Sequence, residues 1–178
     1  MKHILEYSTG SKIIHWTLAI IIILMLALSF FLDDVPKPNQ PIAYMIHKSF
    51  GLLVLALMLV RLLWISMRGK PELPATVPNW QKVLARGVQY SLYLFLFLMP
   101  ISGWIMSVAA NHPPVFFGLF SVSLPITPSE DLAGIMAQTH EIIAWILIFL
   151  LVLHVAGALK HYFFNKDNVL QTMLPGKH

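Results

Sequence analysis

The sequence contains no cysteine and little charge. Of its 178 residues, 11% are charged and 57% are apolar. The absence of cysteine excludes disulfides, zinc sites with thiolate ligands, cysteine-ligated iron-sulfur clusters and covalent attachment of haem through a C-x-x-C-H motif. The shortage of charge excludes a soluble globule of this size, because too few polar side chains remain to cover its surface. The composition indicates a membrane protein, in which any metal must be held by the eight histidines or by oxygen ligands.

The small excess of positive charge has an ordinary explanation in a membrane protein. Twelve lysines and arginines stand against eight acidic residues, which gives a formal net charge of +4. These basic residues lie beside apolar runs and do not form a solvated block, as a nucleic-acid-binding segment would. Basic residues at such positions are typical of the flanks of membrane spans, so we expect membrane lipid as a partner and no nucleic acid.

Four apolar runs are long enough to cross about 30 Å of hydrocarbon. They lie at residues 13–32, 42–67, 83–109 and 132–164, and proline-rich segments separate them. The first run has no small-residue cleavage site before Asp33, so we expect a helix of the mature protein and not a signal peptide. The apolar stretch from Val115 to Leu124 is too short to span and predicts an interfacial or cap segment. The sequence predicts an all-α membrane protein, a four-helix transmembrane bundle in one domain covering residues 1–178.

The basic residues also predict an orientation. Only Lys37 and Lys48 fall on one side of the four predicted spans. By the positive-inside rule, the richer side faces the cytoplasm, which predicts that both termini are cytoplasmic. The basic residues of that side are Lys2, Lys12, Arg61, Arg68, Lys70, Lys82, Arg86, Lys160, Lys166 and Lys177.

Four histidines lie within or at the edge of a span, where a titratable group is costly and is by default a functional candidate. His15 opens the first span on the cytoplasmic side, and His47 opens the second on the other side. His140 and His154 both lie in the fourth span, 14 residues apart. That spacing puts them within about 40° of one helix face and roughly 21 Å apart along the axis. One helix therefore offers two ligands, one near each membrane face.

Depth pairs the histidines as His15 with His154 and His47 with His140. Two neutral imidazoles from facing helices can fill both axial positions of a haem iron, which leaves no open site for oxygen and suits electron transfer. The pattern predicts that the bundle encloses two haem groups. The alternatives are that each histidine is only an interfacial or hydrogen-bonded helix residue, or that the metal is zinc or copper. Zinc or copper would want three or four clustered ligands, and these pairs lie too far apart to pool.

Glycines and one arginine give secondary support. Gly51, Gly103 and Gly157 could leave room for a porphyrin between helices, although close helix packing is the commoner role of membrane glycines. Arg61 lies 14 residues after His47, near the cytoplasmic pair. It could meet a haem propionate, or it could extend to the lipid headgroups.

Short motifs surround the histidines along nearly the whole chain. They are Ile14-His15-Trp16, Met45-Ile46-His47-Lys48-Ser49-Phe50-Gly51, Val60-Arg61-Leu62, Pro100-Ile101-Ser102-Gly103, Thr139-His140-Glu141, Leu153-His154, His161-Tyr162-Phe163 and Lys166-Asp167-Asn168. These motifs resemble those of the bacterial cytochrome b561 family, and the histidine pattern matches in order and spacing. The segment from His161 to Asn168 resembles the small stand-alone members.

The resemblance implies a cytochrome of the bacterial inner membrane with two haem b groups. It implies an enzyme that oxidises superoxide to dioxygen at the periplasmic side and passes the electrons to ubiquinone. His161 matches a histidine at the family's quinone pocket, seven residues past His154, where its ring could hydrogen-bond a quinone carbonyl. The alternative for His161 is a histidine among basic residues that face the headgroups.

The charge of the periplasmic side gives a specific expectation about superoxide. Only Lys37 and Lys48 are basic there, although Lys48 and His112 could form a local positive mouth near His47. An anion is drawn in best by positive charge, so we expect slow reaction with a shallow salt dependence. The acidic residues on this side are Asp33, Asp34, Glu130, Asp131 and Glu141.

A second function fits the same four histidines. The chain could be the cytochrome b subunit of a larger membrane complex, such as a hydrogenase or formate dehydrogenase, and take electrons from a protein partner. Such subunits usually need docking surface outside the membrane, and here only the connection from Asn111 to Glu130 is long. The sequence is compatible with a homo-oligomer and with a redox partner protein.

Overall fold

The computed structural model describes residues 6–71, 74 and 77–174, and the expectations for Lys2 and Lys177 concern residues outside these ranges. Within them the chain forms four long helices, each long and apolar enough to cross a membrane. This confirms the predicted fold class, a four-helix membrane bundle, and the chain is a multi-pass membrane protein. The helices are α1 (Thr9–Ser29), α2 (Gln40–Arg68), α3 (Asn79–Ala109) and α4 (Glu130–Lys160).

The two ends of the bundle differ, and we name them for what they carry. The terminal side carries the start of α1, the α2–α3 connection and the end of α4. The hairpin side carries a 3₁₀ turn at Lys37–Asn39, which leads into α2, and a short β-hairpin between α3 and α4.

Serine caps begin two of the helices. The Ser8 side chain accepts a hydrogen bond from the backbone N–H of Ser11 at 3.3 Å at the start of α1. At the start of α4, the Ser129 hydroxyl accepts from the N–H of Leu132 at 3.3 Å. Each cap satisfies a backbone donor that has no partner within its helix. The N–H of Ser129 also donates to the carbonyl of Ala109, which ties the start of α4 to the end of α3.

The bundle core lies between the levels of the two histidine pairs. One cluster joins Leu18 and Ile22 of α1 to Val54 and Met58 of α2. A second joins Leu92 of α3 to residues of α4, and both clusters are packed against Leu96 and Leu151. Close-packed aliphatic side chains therefore fill the middle of the bundle and separate its two ends. The α4 residues of the second cluster are Ile143, Leu147 and Leu150.

The outward surface of the helices is apolar over most of their length. Leu63, Val83 and Phe149 are each more than 60% exposed, as are many other aliphatic and aromatic side chains. A soluble protein rarely exposes so large a continuous apolar surface. In a membrane these side chains face lipid, which is the partner that the composition predicts.

The segment from Val115 to Leu124, predicted only as an interfacial or cap segment, contains an antiparallel hairpin. Strands β1 (Val115–Phe116) and β2 (Phe120–Ser121) pair with Phe116 opposite Phe120. The turn has positive φ at Phe117 and at Gly118, a conformation that glycine adopts without strain. The hairpin therefore gives this loop a fixed shape.

The hairpin is fastened to α2 and α3. The fully buried Ser49 hydroxyl accepts from the N–H of Phe117 at 2.8 Å and lies 3.2 Å from the carbonyl oxygen of Val115. The indole N–H of Trp104 on α3 donates to the carbonyl of Val122 at 2.8 Å. These bonds hold the hairpin over the end of the bundle that contains His47.

Candidate haem sites and a polar cavity

The structure brings together the two histidines of each predicted pair. On the terminal side the ring centroids of His15 and His154 are 6.2 Å apart, and the ring planes are inclined by 73°. On the hairpin side the ring centroids of His47 and His140 are 6.4 Å apart, with the planes inclined by 71°. Each pair joins α4 to a different helix, so α4 contributes one histidine near each end of the bundle.

These distances fit two axial ligands of one metal ion. A metal to imidazole nitrogen bond is about 2 Å long, so two imidazoles on opposite sides of one ion have ring centroids roughly 6 Å apart. Among the described residues no group of three or more histidine, aspartate or glutamate side chains could hold a metal ion. A metal with two protein ligands and the rest supplied by a macrocycle, as in haem, fits this donor set.

The chain alone leaves these imidazoles incompletely covered. His15, His47 and His140 are half-buried, and His154 is exposed although it lies within α4. An incompletely covered imidazole inside a membrane is costly. The incomplete coverage fits a large planar group lying beside the histidines. Gly51, one turn after His47, is compatible with such a group, because an added Cβ there would meet no atom within 4 Å, as is also true at Gly87.

Ser102 orients the ring of His140. Its hydroxyl oxygen lies 3.0 Å from Nδ1 of His140, and the hydroxyl donates to the carbonyl of Met99 at 2.8 Å. With the hydroxyl proton on the Met99 carbonyl, the oxygen accepts the Nδ1 proton, and this is the tautomer that leaves Nε2 unprotonated. Such a partner fixes the tautomer that a metal-bound histidine requires. Sequence reasoning missed Ser102, although it lies next to Gly103 in a quoted motif.

Gly103 allows the His140 ring to approach α3. A Cβ added at this position would lie 2.9 Å from Cε1 of His140 and 3.1 Å from Nδ1. The glycine was expected to make room for a porphyrin or for helix packing. In the structure it makes room for the ring of the candidate ligand.

Arg61 is buried on the terminal side, with 6% of its surface exposed. Its Nη1 donates to the backbone carbonyl of Ser11 at 3.3 Å. Among the described residues no carboxylate lies within 4 Å of the guanidinium. A buried cation with only a neutral partner is unfavourable unless an anion joins it. The position fits a haem propionate better than an exposed contact with lipid headgroups.

His161 lies where α4 changes to a π-helical turn (His161–Asn165). The ring is 8% exposed, and its Nδ1 lies 2.6 Å from Oδ2 of Asp167. The Asn165 side chain lies 3.1 Å from the same nitrogen. The ring is therefore buried against a carboxylate and does not face the lipid headgroups, which was the alternative for His161. Sequence reasoning missed Asp167 as its partner, although Lys166-Asp167-Asn168 was part of the family motif.

A polar cavity of about 260 Å³ adjoins this pair on the terminal side. It lies between the start of α3 and the chain that follows α4. Its lining residues are Val77, Pro78, Gln81, Asn165 and Asp167.

Lys48 and His112 meet on the hairpin side. The Lys48 ammonium donates to the backbone carbonyl of His112 at 3.0 Å, and the hydroxyl of Ser107 donates to the same oxygen. These bonds hold the chain around His112 beside Lys48, the residue that follows His47. Lys48 and His112 were expected to form a local positive group, and in the structure its charge comes mainly from the half-buried Lys48.

A membrane bundle with a histidine pair near each end has the architecture of a helical cytochrome. A family model described as prokaryotic cytochrome b561 matches residues 6–176. The chain belongs to the prokaryotic cytochrome b561 family, whose members bind haem b, and it is a membrane electron-transfer protein.

Curated relatives cover nearly the whole chain. Cytochrome b561 homolog 2 of Escherichia coli (strain K12) is 33% identical over 172 residues, which are 95% of this chain and 91% of the relative. Cytochrome b561 homolog 1 of the same organism is 27% identical over 96% of this chain and 97% of the relative. A protein of Yersinia pestis named probable superoxide oxidase CybB is 30% identical over 97% of both chains.

Proposed function

We propose that this chain holds two haem b groups and transfers electrons from superoxide to ubiquinone. His15 and His154 hold one haem on the terminal side, and His47 and His140 hold the other on the hairpin side. The observation that carries the proposal is the ring-centroid spacing of 6.2 and 6.4 Å, which suits two axial imidazoles at each end of one bundle. When bound, a haem held by two imidazoles would supply a one-electron carrier.

The terminal side faces the cytoplasm of a bacterial cell, and the protein lies in the inner membrane. Lys37 and Lys48 are the basic residues of the hairpin side in the described chain, which leaves that side poor in positive charge. The positive-inside rule supports the assignment. The basic residues of the terminal side are Lys12, Arg61, Arg68, Lys70, Lys82, Arg86, Lys160 and Lys166.

Superoxide is the proposed donor on the periplasmic, hairpin side. The support is the family resemblance together with the 30% identity to a relative named probable superoxide oxidase. The balanced reaction is two superoxide anions, one ubiquinone and two protons giving two dioxygen molecules and one ubiquinol. Lys48, next to His47, is the nearest fixed positive charge in the sequence that can attract the anion.

Ubiquinone is the proposed acceptor, bound near His161. The Asp167 carboxylate accepts the proton on Nδ1 of His161, so Nε2 is the ring atom left to face a quinone oxygen, and it donates to that oxygen when the ring is doubly protonated. Arg61 would bind a propionate of the neighbouring haem and neutralise it within the bundle.

One observation favours a second function, in which a redox protein delivers the electrons. The hairpin side carries five carboxylates, and all five belong to exposed residues. An acidic face suits a basic protein partner better than it suits an anion. The chain would then be the cytochrome b subunit of a larger membrane complex. The carboxylates belong to Asp33, Asp34, Glu130, Asp131 and Glu141.

The first test is the visible spectrum of the purified protein, oxidised and reduced, with haem counted per chain. We expect two haems per chain, and a colourless protein contradicts the proposal. His140→Ala should remove the hairpin-side haem and leave the other bound. Loss of neither haem, or equal perturbation of both spectra, would contradict the pairing.

The second test separates the two functions. The purified protein is mixed with a superoxide-generating system and ubiquinone, and ubiquinol is measured with and without superoxide dismutase. The enzyme should reduce quinone without any partner protein, whereas a complex subunit should not. His161→Ala should keep both haems and slow quinone reduction, and an unchanged rate would remove His161 from the quinone site.

A further inference from the structure

The reduction of ubiquinone consumes two protons, and a polar cavity adjoins the histidine that the proposed function assigns to the quinone. The cavity of about 260 Å³ lies on the terminal side, and Asp167 is among its lining residues. The same carboxylate contacts His161, the residue that the proposed function assigns to the quinone. The cavity and the histidine ring are therefore joined through one side chain.

The cavity has the properties of a water site. The amide oxygen of Gln81, a lining residue, is buried and has no hydrogen-bond partner among the described residues. Buried polar atoms are nearly always hydrogen-bonded, to ordered water where no protein partner exists. A water molecule occupies about 30 Å³, so the cavity has room for several.

Asp167 is fixed between this cavity and the ring. Its Oδ2 lies 2.6 Å from Nδ1 of His161, and its Oδ1 accepts from the N–H of Val169 at 3.1 Å. Its side chain is 12% exposed, so it remains in partial contact with its surroundings. Two hydrogen bonds on different oxygens hold the carboxylate in one orientation.

Among the described residues, no nearby lysine forms an ion pair with Asp167 in place of His161. Lys160 and Lys166 lie on either side of the π-helical turn, and Lys82 follows Gln81 on α3. The Lys160 ammonium lies 5.7 Å from the ring centroid of Trp80. Among the described residues the ion pair of Asp167 is the one with His161.

We propose that Asp167 and the Gln81 cavity form the proton inlet for quinone reduction at His161. In the charged pair the ring carries a proton on each nitrogen: Nδ1–H donates to the Asp167 carboxylate, and Nε2 gives its proton to the quinone oxygen. The ring, now neutral, regains one proton from the cavity water, and the Asp167 carboxylate stabilises the cation that re-forms. Two electrons from two superoxide anions and two protons taken up in this way convert one ubiquinone to ubiquinol. Asp167 acts through His161 and is a positioning residue. The inference rests on the proposed quinone function.

The test uses the full-length holoprotein and avoids superoxide. The haems are reduced with dithionite, the excess is removed, and reoxidation by a short-chain ubiquinone is followed by stopped-flow absorbance in H₂O and in D₂O. We expect Asp167→Asn, which keeps the size of the side chain, to slow reoxidation roughly 10-fold or more. In Asp167→Ala we expect added acetate to restore the rate in proportion to its concentration, with no acceleration of the wild type. Asp131→Asn, an exposed carboxylate at the other end of the bundle, is the matched control.

The outcomes are distinguishable. A wild-type rate in Asp167→Asn overturns the inference, and so does a slow Asp167→Ala that acetate does not restore, because Asp167 would then only fasten the chain after α4.

Gln81→Leu gives a second measurement that leaves the Asp167–His161 contact intact. We expect slower reoxidation and a different ratio of the rates in H₂O and D₂O. A wild-type rate would show that the cavity does not supply the protons. Wild-type haems that ubiquinone does not reoxidise would contradict the proposed function itself.

Discussion

The hydroxyl oxygen of Ser102 on α3 lies 3.0 Å from Nδ1 of His140 on α4. With the hydroxyl proton donated to the carbonyl of Met99, the oxygen accepts from the ring and Nε2 of His140 is free. This contact connects two helices. It also gives the proposed hairpin-side haem a partner that the histidine pattern alone does not reveal.

Replacement of Ser102 by alanine should loosen the hairpin-side haem. The loss of a hydrogen bond that orients a metal-ligating histidine typically costs 10- to 100-fold in metal affinity, so we expect about that loss in Ser102→Ala. The measurement is haem retained per chain after prolonged detergent dilution. Ser66→Ala is the control, because this exposed hydroxyl donates to the carbonyl of Leu63 within its own helix. Equal haem retention in the two variants would contradict the orienting role.

Gly103→Ala should displace the His140 ring, because the added Cβ would lie 2.9 Å from Cε1. A contact this short forces a shift of the ring or of α3. We expect loss of the hairpin-side haem, with His15 and His154 still holding the other. Gly87→Ala is the matched control in the same helix, since its added Cβ meets no atom within 4 Å. Reduced difference spectra of both variants provide the measurement, and two full haems in Gly103→Ala would contradict the prediction.

The four helices and the facing histidines could be predicted because both are encoded locally. A long apolar run in the sequence predicts a membrane span. Because the rise per residue of a helix is fixed, the 14-residue spacing of His140 and His154 predicts how far apart they lie across the membrane. Depth then pairs them with His47 and His15. No knowledge of distant contacts is needed for either inference.

The remaining features depend on contacts between distant parts of the chain. The hairpin has strands of two residues each, too short for a periodic signal, and bonds from Ser49 on α2 hold it. The π-helical turn after Lys160 changes the helical register, so the face of Asp167 could not be read by counting from His154. For Arg61, periodicity gave the face, and only the fold decided that the side chain is buried.

Arg61→Gln should lower the reduction potential of the terminal-side haem. A buried positive charge stabilises the reduced form, which carries one positive charge fewer, so its removal favours oxidation. We expect a downward shift on the order of tens of millivolts, smaller in Arg61→Lys because the charge is kept. Redox titration of the visible bands measures it. Arg68→Gln, an exposed residue at the end of α2, should leave the potential unchanged. An unchanged potential in Arg61→Gln would contradict the proposed contact between Arg61 and a haem propionate.

The charge of the hairpin side predicts how superoxide reacts. Lys37 and Lys48 are outnumbered there by exposed carboxylates, so long-range attraction of an anion is weak. We therefore expect the rate of haem reduction by superoxide to change little as salt rises from low ionic strength to 0.1 M, where the screening length is about 10 Å. Pulse-generated superoxide and stopped-flow absorbance at several salt concentrations provide the measurement. A steep fall in rate would contradict this weak steering.

Charge variants sharpen the same prediction. Asp34→Asn removes one exposed negative charge on the hairpin side and should raise the low-salt rate about 2-fold, since a unit charge about 10 Å away in water is worth a fraction of a kcal/mol. Lys48→Gln should lower the rate by a similar or larger factor, because this ammonium follows His47 directly. Arg68→Gln changes charge by one unit on the terminal side and should alter neither the rate nor its salt dependence. If Arg68→Gln changed the superoxide rate and the two hairpin-side variants did not, superoxide would have to react at the terminal side, and the proposed direction of electron transfer would be reversed.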